Sequence, residues 1–211
     1  LCQLGVCVAC PGTGGPAMVA LPAGYCIDGT EVTRAQYEGW RGTTTSATIN
    51  AQDAANCAWN TDFAPDATCQ GDTHVCQGTA CGNQPQVCMD WCDAFAYCKG
   101  VGKRLCGMIG GGPNAWVSYR DATKSQWFNA CSSAGTNTYP YPGLYEAQKC
   151  NGADRAAFTT TEVGILTGCQ APVPYAGVYD MSGNVAEWED DCSATGASGF
   201  CMIRGGNFID G

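Results

Sequence analysis

The clearest periodic pattern of apolar positions lies in the middle of the chain, in the stretch DWCDAFAYCKG from Asp90 to Gly100. Trp91, Phe95 and Cys98 fall at i, i+4 and i+7, which places them on one face of a helix. Asp90 has a side chain suited to an N-cap, and the glycine at the end supplies a stop. The pattern therefore predicts an amphipathic helix over Asp90–Gly100.

Two further segments have weaker helical patterns. The sequence predicts a short helix over Arg34–Trp40, capped by Thr33, with Tyr37 on the same side as the final tryptophan. It also predicts a helix over Asp121–Ala130 that begins at Asp121 as its N-cap and turns Trp127 inward.

Elsewhere the apolar runs are short and predict small strands. Met18–Leu21 is expected to form a buried strand that ends in a turn at residues 22–24. The final third is expected to form short strands and turns, in the stretches YPYPGLY, PYAGVYDMSGNVAEW and CMIRGGNFID. A few short helices among many loops and small strands predict an irregular, loop-rich α+β domain with many disulfides.

Two segments have neither the helical nor the strand pattern of apolar positions. Residues 1–16 are rich in cysteine, glycine and proline and are predicted to be a bridged arm or the end of a stalk. Residues 42–87 are predicted to be a long irregular insertion that is ordered by disulfides rather than by a core.

Cysteine content indicates the compartment. The chain has 17 cysteines among 211 residues, a density typical of secreted disulfide scaffolds. Only Cys7 and Cys10 form a C-x2-C pair and His74 is the single histidine, so a zinc or iron–sulfur cluster is not expected. We therefore expect an extracellular or cell-surface location. Because the count is odd, at least one thiol is free, bonds another chain or pairs with a cysteine outside these residues.

Charge excludes two classes of partner. Only 14% of residues are charged, with 19 acidic against 10 basic side chains. Nucleic-acid and anionic-membrane surfaces need clustered basic residues, and the longest apolar runs are too short to span a bilayer. We expect no nucleic-acid partner and no direct membrane insertion.

Four separated stretches occur in an order typical of one family: IDGTEVTRAQY, WCDAFAYCKGVGKRLC, GVYDMSGNVAEW and IRGGNF. Together they resemble the formylglycine-generating enzyme, or sulfatase-modifying factor, superfamily over residues 17–211. The resemblance implies one domain with a variant C-type-lectin-like fold, and a continuation beyond Gly211 stays open. One departure is Cys106, which stands where other members begin a helix and is expected to form an inserted disulfide.

The resemblance also defines what catalysis would require. Members that oxidise a substrate cysteine have a pair of copper-binding cysteines just after an R-G-G-S strand. Here that strand continues through Asn207 to Asp210, which occupies the expected position of the first copper cysteine. A carboxylate does not replace a thiolate at a Cu(I) site, and the three-histidine iron site of another branch cannot be built from His74 alone. Copper is therefore not expected, and no catalytic residue is assigned.

A calcium site fits the sequence better. The family pattern carries over to Asp180 and Glu187 through their side chains and to Gly183 and Val185 through their carbonyls, and calcium prefers such mixed oxygen ligands. The alternative is a metal-free turn in which Asp180 and Asn184 satisfy backbone N–H groups. The following run of Glu189, Asp190 and Asp191 is predicted to be a solvated acidic surface.

Two functions stay open at this point. The first is an extracellular, non-catalytic binding or assembly module, stabilised by disulfides and calcium. Its partners would be carbohydrate, peptide or further copies of itself, bound near Trp188 and Asn207 or on the insertion 42–87. A fibre joined by an intermolecular disulfide is one form of this hypothesis. The second is a formylglycine-generating-type copper oxidase whose catalytic cysteines lie beyond Gly211.

Overall fold

The computed structural model describes residues 2–3, 6–7, 10–12 and 14–210. The helices in these ranges are short: α1 Arg34–Arg41, α2 Ser46–Asn50, α3 Ala67–Gln70, α4 Trp91–Gly100 and α5 Gln126–Cys131. Single 3₁₀ turns lie at Thr79–Asn83, Trp116–Ser118 and Ala153–Arg155. None of the described helices is long and apolar enough to cross a membrane.

The described strands form three separate antiparallel pairs: β1 Cys2–Gln3 with β2 Val6–Cys7, β3 Met18–Leu21 with β4 Tyr25–Asp28, and β5 Glu187–Cys192 with β6 Cys201–Arg204. Glu187 lies opposite Arg204 in the last pair, and the register shifts before Cys192 meets Cys201. Small sheets, short helices and much coil confirm the loop-rich α+β class.

The predicted helices α1 and α4 are confirmed, and each begins at its predicted N-cap residue. Thr33 forms a capping box with Gln36 at the start of α1, and the Asp90 side chain accepts a hydrogen bond from the Asp93 amide at the start of α4. Such caps satisfy amides that have no partner inside the helix. The predicted strand Met18–Leu21 is also confirmed, and its hairpin partner β4 was not predicted.

The third predicted helix is wrong in its first half. Asp121 caps a local turn, because its Oδ1 accepts hydrogen bonds from the amide and hydroxyl of Thr123. The helix itself begins only after Ser125, whose hydroxyl accepts from the Phe128 amide. The prediction of short strands and turns in the final third is confirmed in part. YPYPGLY and most of PYAGVYDMSGNVAEW form turns and coil, whereas the last two residues of the latter begin β5 and CMIR forms β6.

Two apolar clusters form the core. One joins the hairpin β3–β4 to α5 and to the segment before β5, through residues that include Leu21, Tyr25, Trp127 and Met181. The other packs α4 against β5 and contains the disulfide between Cys57 and Cys92. The Trp91 indole donates a hydrogen bond of 2.9 Å to the Glu189 carbonyl, which fixes α4 to β5.

Disulfides hold the coil in place, as predicted. The bridge Cys57–Cys92 encloses Cys69–Cys88, which in turn encloses Cys76–Cys81. We call these three the nested bridges. All four cysteines of the insertion 42–87 belong to them, and the insertion also supplies the buried Phe63 ring that packs on Trp40.

In the part of the chain that the structure describes, three further bridges lie outside the insertion: Cys10–Cys26, Cys150–Cys169 and Cys192–Cys201. The first joins the predicted arm to β4. The arm's division from the domain stays a prediction, and most of residues 1–9 lie outside the described ranges. The short pair β1–β2 shows that the arm is not wholly irregular.

Candidate functional site

The turn that precedes β5 is unusually constrained. Asp180 and Asn184 both have left-handed backbone conformations, with φ of 58° and 57°, which asparagine and aspartate tolerate better than most residues. Gly183 has φ of 77°, and a Cβ there would lie 2.4 Å from the Asn151 carbonyl oxygen. Only glycine therefore fits at this point of the turn.

Asn184 holds the turn from inside, as the sequence predicts. Its side-chain oxygen accepts from the Thr161 amide at 2.9 Å, and its side-chain nitrogen donates to Glu31 at 2.8 Å. The Asp180 carboxylate accepts from the Gly164 amide at 2.6 Å. Asp180 and Asn184 thus each accept a hydrogen bond from a backbone amide, as the metal-free turn requires.

The turn delivers two carboxylates to the interior. Asp180 is buried, and Glu187 at the start of β5 accepts a 2.5 Å hydrogen bond from the Trp127 indole. Burial, together with the negative charges of Asp180 and Glu189, raises the pKa of Glu187 to about 8, although the hydrogen bond from Trp127 favours its charged form. Burial also raises the pKa of Asp180, although the Gly164 amide partly offsets this.

Glu31 is a third carboxylate at this place, and the sequence-based prediction did not include it. Its Oε1 accepts from Asn184, whereas its buried Oε2 has no hydrogen-bond partner among the described residues. Burial, followed by the charges of Asp180 and Glu187, holds its pKa well above the usual range. The glutamate of the motif IDGTEVTRAQY was the signal that could have found it. We call Glu31, Asp180 and Glu187 the inner acidic site.

The oxygen donors at this site suit a hard cation. Asp180 and Glu187 lie on either side of Gly183 and Val185 in the chain, and calcium prefers such a mixture of carboxylate and backbone carbonyl oxygens. The orphaned Glu31 oxygen adds a further donor that lacks a partner. No group of three acidic, histidine or cysteine side chains in the described residues has the geometry to hold a metal by itself, so a calcium ion here would depend on backbone oxygens.

The acidic run after Trp188 is not a solvated surface, and that prediction is wrong. Glu189 and Asp191 have no solvent exposure, and only Asp190 between them is partly exposed. The reason is the alternation of side chains along a strand, which turns residues 187, 189 and 191 of β5 to one face. Burial raises the pKa of Glu189 to about 7, although Arg204 at 3.8 Å favours its charged form.

A cavity of about 740 Å³ lies beside the inner acidic site. Its wall includes the aromatic rings of Tyr25, Tyr97, Trp127 and Trp188. Asp28, Glu31 and Glu187 line it as acids, and Lys103 lines it as a base that is paired with Asp28 at 2.5 Å. Asn207, which we expected beside Trp188 in a binding face, is not among the lining residues.

Three cysteines in the described residues have no disulfide partner: Cys98, Cys106 and Cys131. The bridge expected at Cys106 is therefore wrong for this structure. Cys98 and Cys106 line the cavity, and burial raises the pKa of Cys98 and of Cys131 to about 12. Thiols with such pKa values are poor nucleophiles and poor metal ligands.

The strand exit at the expected copper position forms a closed turn. The Asp210 carboxylate accepts from the Asn207 amide at 2.9 Å, and the Asn207 side chain accepts from the Ile209 amide at 2.8 Å. His74 lies on the surface, where its ring contacts Asp72 at 2.7 Å. The turn at Asn207 contacts the turn before β5, because the Phe208 amide donates to the Asn184 carbonyl at 3.2 Å.

The fold and this site define a disulfide-braced α+β domain with buried carboxylates beside an aromatic cavity. The sequence profile of the sulfatase-modifying factor enzyme 1-like domain matches residues 12–211. The chain therefore belongs to this family. No curated protein matches the chain closely enough to count as a relative.

Proposed function

We propose that the chain is an extracellular, non-catalytic binding module of its family, stabilised by disulfides and by calcium. One observation carries the non-catalytic part. The position of the first copper cysteine holds Asp210, and its carboxylate is engaged in closing the turn at Asn207. The six described disulfides support the extracellular part, because such bridges persist in oxidising compartments.

The cavity is the proposed binding site, and its chemistry favours a peptide with an apolar side chain over a carbohydrate. Sugar recognition needs free hydrogen-bond donors beside aromatic faces. Here the Tyr25 hydroxyl donates to the Gln126 carbonyl at 2.7 Å, and the Trp188 indole donates to the Met89 carbonyl at 3.0 Å. The Trp127 indole donates to Glu187, so of these four rings only Tyr97 has a polar atom without a hydrogen-bond partner among the described residues. The rings therefore offer mainly apolar surface, which suits an apolar anchor residue.

Peptide and glycan arrays on the intact chain test this proposal. Ala186 lines the cavity, so Ala186→Trp fills the space and should abolish peptide binding without removing a contact from the core. Trp59→Ala is the matched control, because Trp59 is exposed on the insertion, away from the cavity lining. Peptide binding that survives Ala186→Trp, or binding of glycans alone, would overturn the assignment.

Calcium is proposed at the turn, with Asp180 and Glu187 as side-chain ligands and Gly183 and Val185 as carbonyl ligands. The ion would neutralise carboxylates whose burial together is costly. Melting curves with micromolar free calcium and with a chelator test it. We expect a higher melting temperature with calcium, and we expect Asp180→Asn to reduce that shift. Equal melting temperatures for the parent chain would refute the site.

The cavity also supports a second candidate function, copper-dependent oxidation of a substrate cysteine. Its volume of about 740 Å³ is large enough to admit a cysteine-containing peptide segment. Copper titration of the chain together with whatever sequence follows Gly211 separates the two functions. Uptake of one Cu(I) with oxidation of a cysteine peptide would replace the binding-module proposal.

A further inference from the structure

A second group of buried oxygens lies further along β5, beyond the inner acidic site. It consists of Glu189, Asp191 and Asn114. Asn114 is fixed to the strand because its amide donates to the Asp190 carbonyl at 2.7 Å. Its side-chain nitrogen donates to the Asp191 carboxylate at 3.3 Å. Glu189 lies two residues from Asp191 on the same face of β5, so the three side chains lie near one another.

Four oxygens in this group are buried without a hydrogen-bond partner among the described residues: Glu189 Oε1 and Oε2, Asp191 Oδ1 and Asn114 Oδ1. Both carboxylate residues have zero exposure, and Asn114 is 6% exposed. Folded proteins leave few such atoms unpaired, because a buried polar atom without a partner is costly and a buried charged group is more costly still. Four together indicate that a ligand of these oxygens is part of the native molecule.

The charge at this place favours a cation over water alone. Arg204 is ion-paired with Glu189, and its Nη1 lies 3.8 Å from Oε1, beyond hydrogen-bond distance. That nitrogen donates to the Tyr119 carbonyl at 2.7 Å, and the guanidinium stacks on the Trp127 ring at 4.5 Å. Arg204 therefore offsets at most one of the two carboxylates and satisfies none of the orphaned oxygens.

We propose that Glu189, Asp191 and Asn114 form a site for a divalent cation, with calcium as its ion, separate from the turn at Asp180. The donors are two carboxylates and one amide oxygen, and an all-oxygen set of this kind selects hard cations. Calcium tolerates irregular geometry and variable coordination better than magnesium does, which suits ligands that come from a strand and a loop.

Calcium titration of the full chain by calorimetry tests the proposal. Glu189→Gln combined with Asp191→Asn keeps the side-chain shapes and should remove one equivalent of tightly bound calcium. Asp190→Asn is the matched control, because it changes the partly exposed neighbour in the same strand and should leave the stoichiometry unchanged. Asp180→Asn reports on the turn, so loss of either site is distinguishable from loss of the other.

Two outcomes would overturn the inference. One is an unchanged calcium stoichiometry in the folded double variant. The other is a crystal of the parent chain grown with Mn²⁺ that has no anomalous peak between Asp191 and Asn114, with waters on these oxygens instead. The crystal needs no mutation, so it decides the question even if the double variant does not fold.

Discussion

The Lys103 ammonium lies 2.5 Å from the Asp28 carboxylate and joins the end of α4 to the end of β4. Its side chain is only 3% exposed, and the same nitrogen donates to the Pro16 carbonyl at 2.7 Å. One buried cation thus ties together the segment before β3, the hairpin and the main helix. Burial raises the pKa of Asp28 although Lys103 favours its charged form.

Replacing Lys103 should lower the free energy of unfolding. Lys103→Met keeps most of the packing but leaves Asp28, whose side chain is 24% exposed, without its partner. A fully buried charge left alone costs about 3–5 kcal/mol, so we expect a loss of about 2 kcal/mol or more here. Urea unfolding measures the change. Lys124→Met is the matched control, since Lys124 pairs with Asp121 at 3.4 Å on the surface and should change stability by less than about 1 kcal/mol. Similar losses for both variants would contradict the buried-pair assignment.

Asp93 should make stability depend on pH. Burial, followed by the charge of Asp90, raises its pKa from 3.8 to about 7. The folded chain then binds this proton more tightly than the unfolded chain does, so its contribution is fully present below the unfolded pKa. It is lost as the pH rises through about 7.

The variant Asp93→Asn isolates that contribution. Its unfolding free energy relative to the parent should rise between acidic and mildly alkaline pH, by about 1 kcal/mol or more. Asp121→Asn serves as a control because Asp121 is exposed and its hydrogen bonds to Thr123 lower its pKa, so its difference from the parent should not rise in this interval. A constant difference between Asp93→Asn and the parent would refute the prediction.

The nested bridges should contribute unequally to stability. Replacing both Cys57 and Cys92 with alanine removes the outermost bridge and opens a buried cluster, so we expect a loss of about 3 kcal/mol or more. Replacing Cys76 and Cys81 removes a bridge that spans only 5 positions, and we expect about 2 kcal/mol. Thermal or urea unfolding of the two double variants compares them. A larger loss for the inner pair would contradict this ranking.

The free thiols should react slowly while the chain is folded. The raised pKa values of Cys98 and Cys131, both about 12, leave little thiolate at neutral pH. Alkylation followed by peptide mapping should modify both residues at least about 100-fold more slowly than in the unfolded chain. Rapid labelling of either thiol in the native protein would show that it is accessible and ionised. Sizing under oxidising and reducing conditions tests the predicted intermolecular bridge separately.

Local patterns were sufficient for some elements and insufficient for others. The caps at Thr33 and Asp90 are contacts between near neighbours, so spacing alone predicts them. Asp121 offers the same type of side chain, but Thr123 lies two residues away and draws it into a turn. Aspartate can cap a helix or a local turn, so an aspartate at position 121 does not show which of the two forms.

The interior acids show a different limit. A run of Glu189, Asp190 and Asp191 looks like surface by composition, although its alternation with Glu187 fits one face of a strand. Glu189 and Asp191 are buried beside Arg204 and Asn114. The sequence alone does not show that these residues are neighbours. Pairing of Cys106 likewise depends on which thiols the fold brings near, and no spacing rule gives that.

The order of the nested bridges also affects how this family member can vary. Each inner bridge closes a loop that lies inside the loop of the next bridge out, so changes in chain length between Cys76 and Cys81 stay within the innermost loop. Residues in that innermost loop can therefore be exchanged while Trp91 keeps α4 in place on β5. The insertion is the part of the chain where new surface chemistry can arise without loss of the domain beneath it.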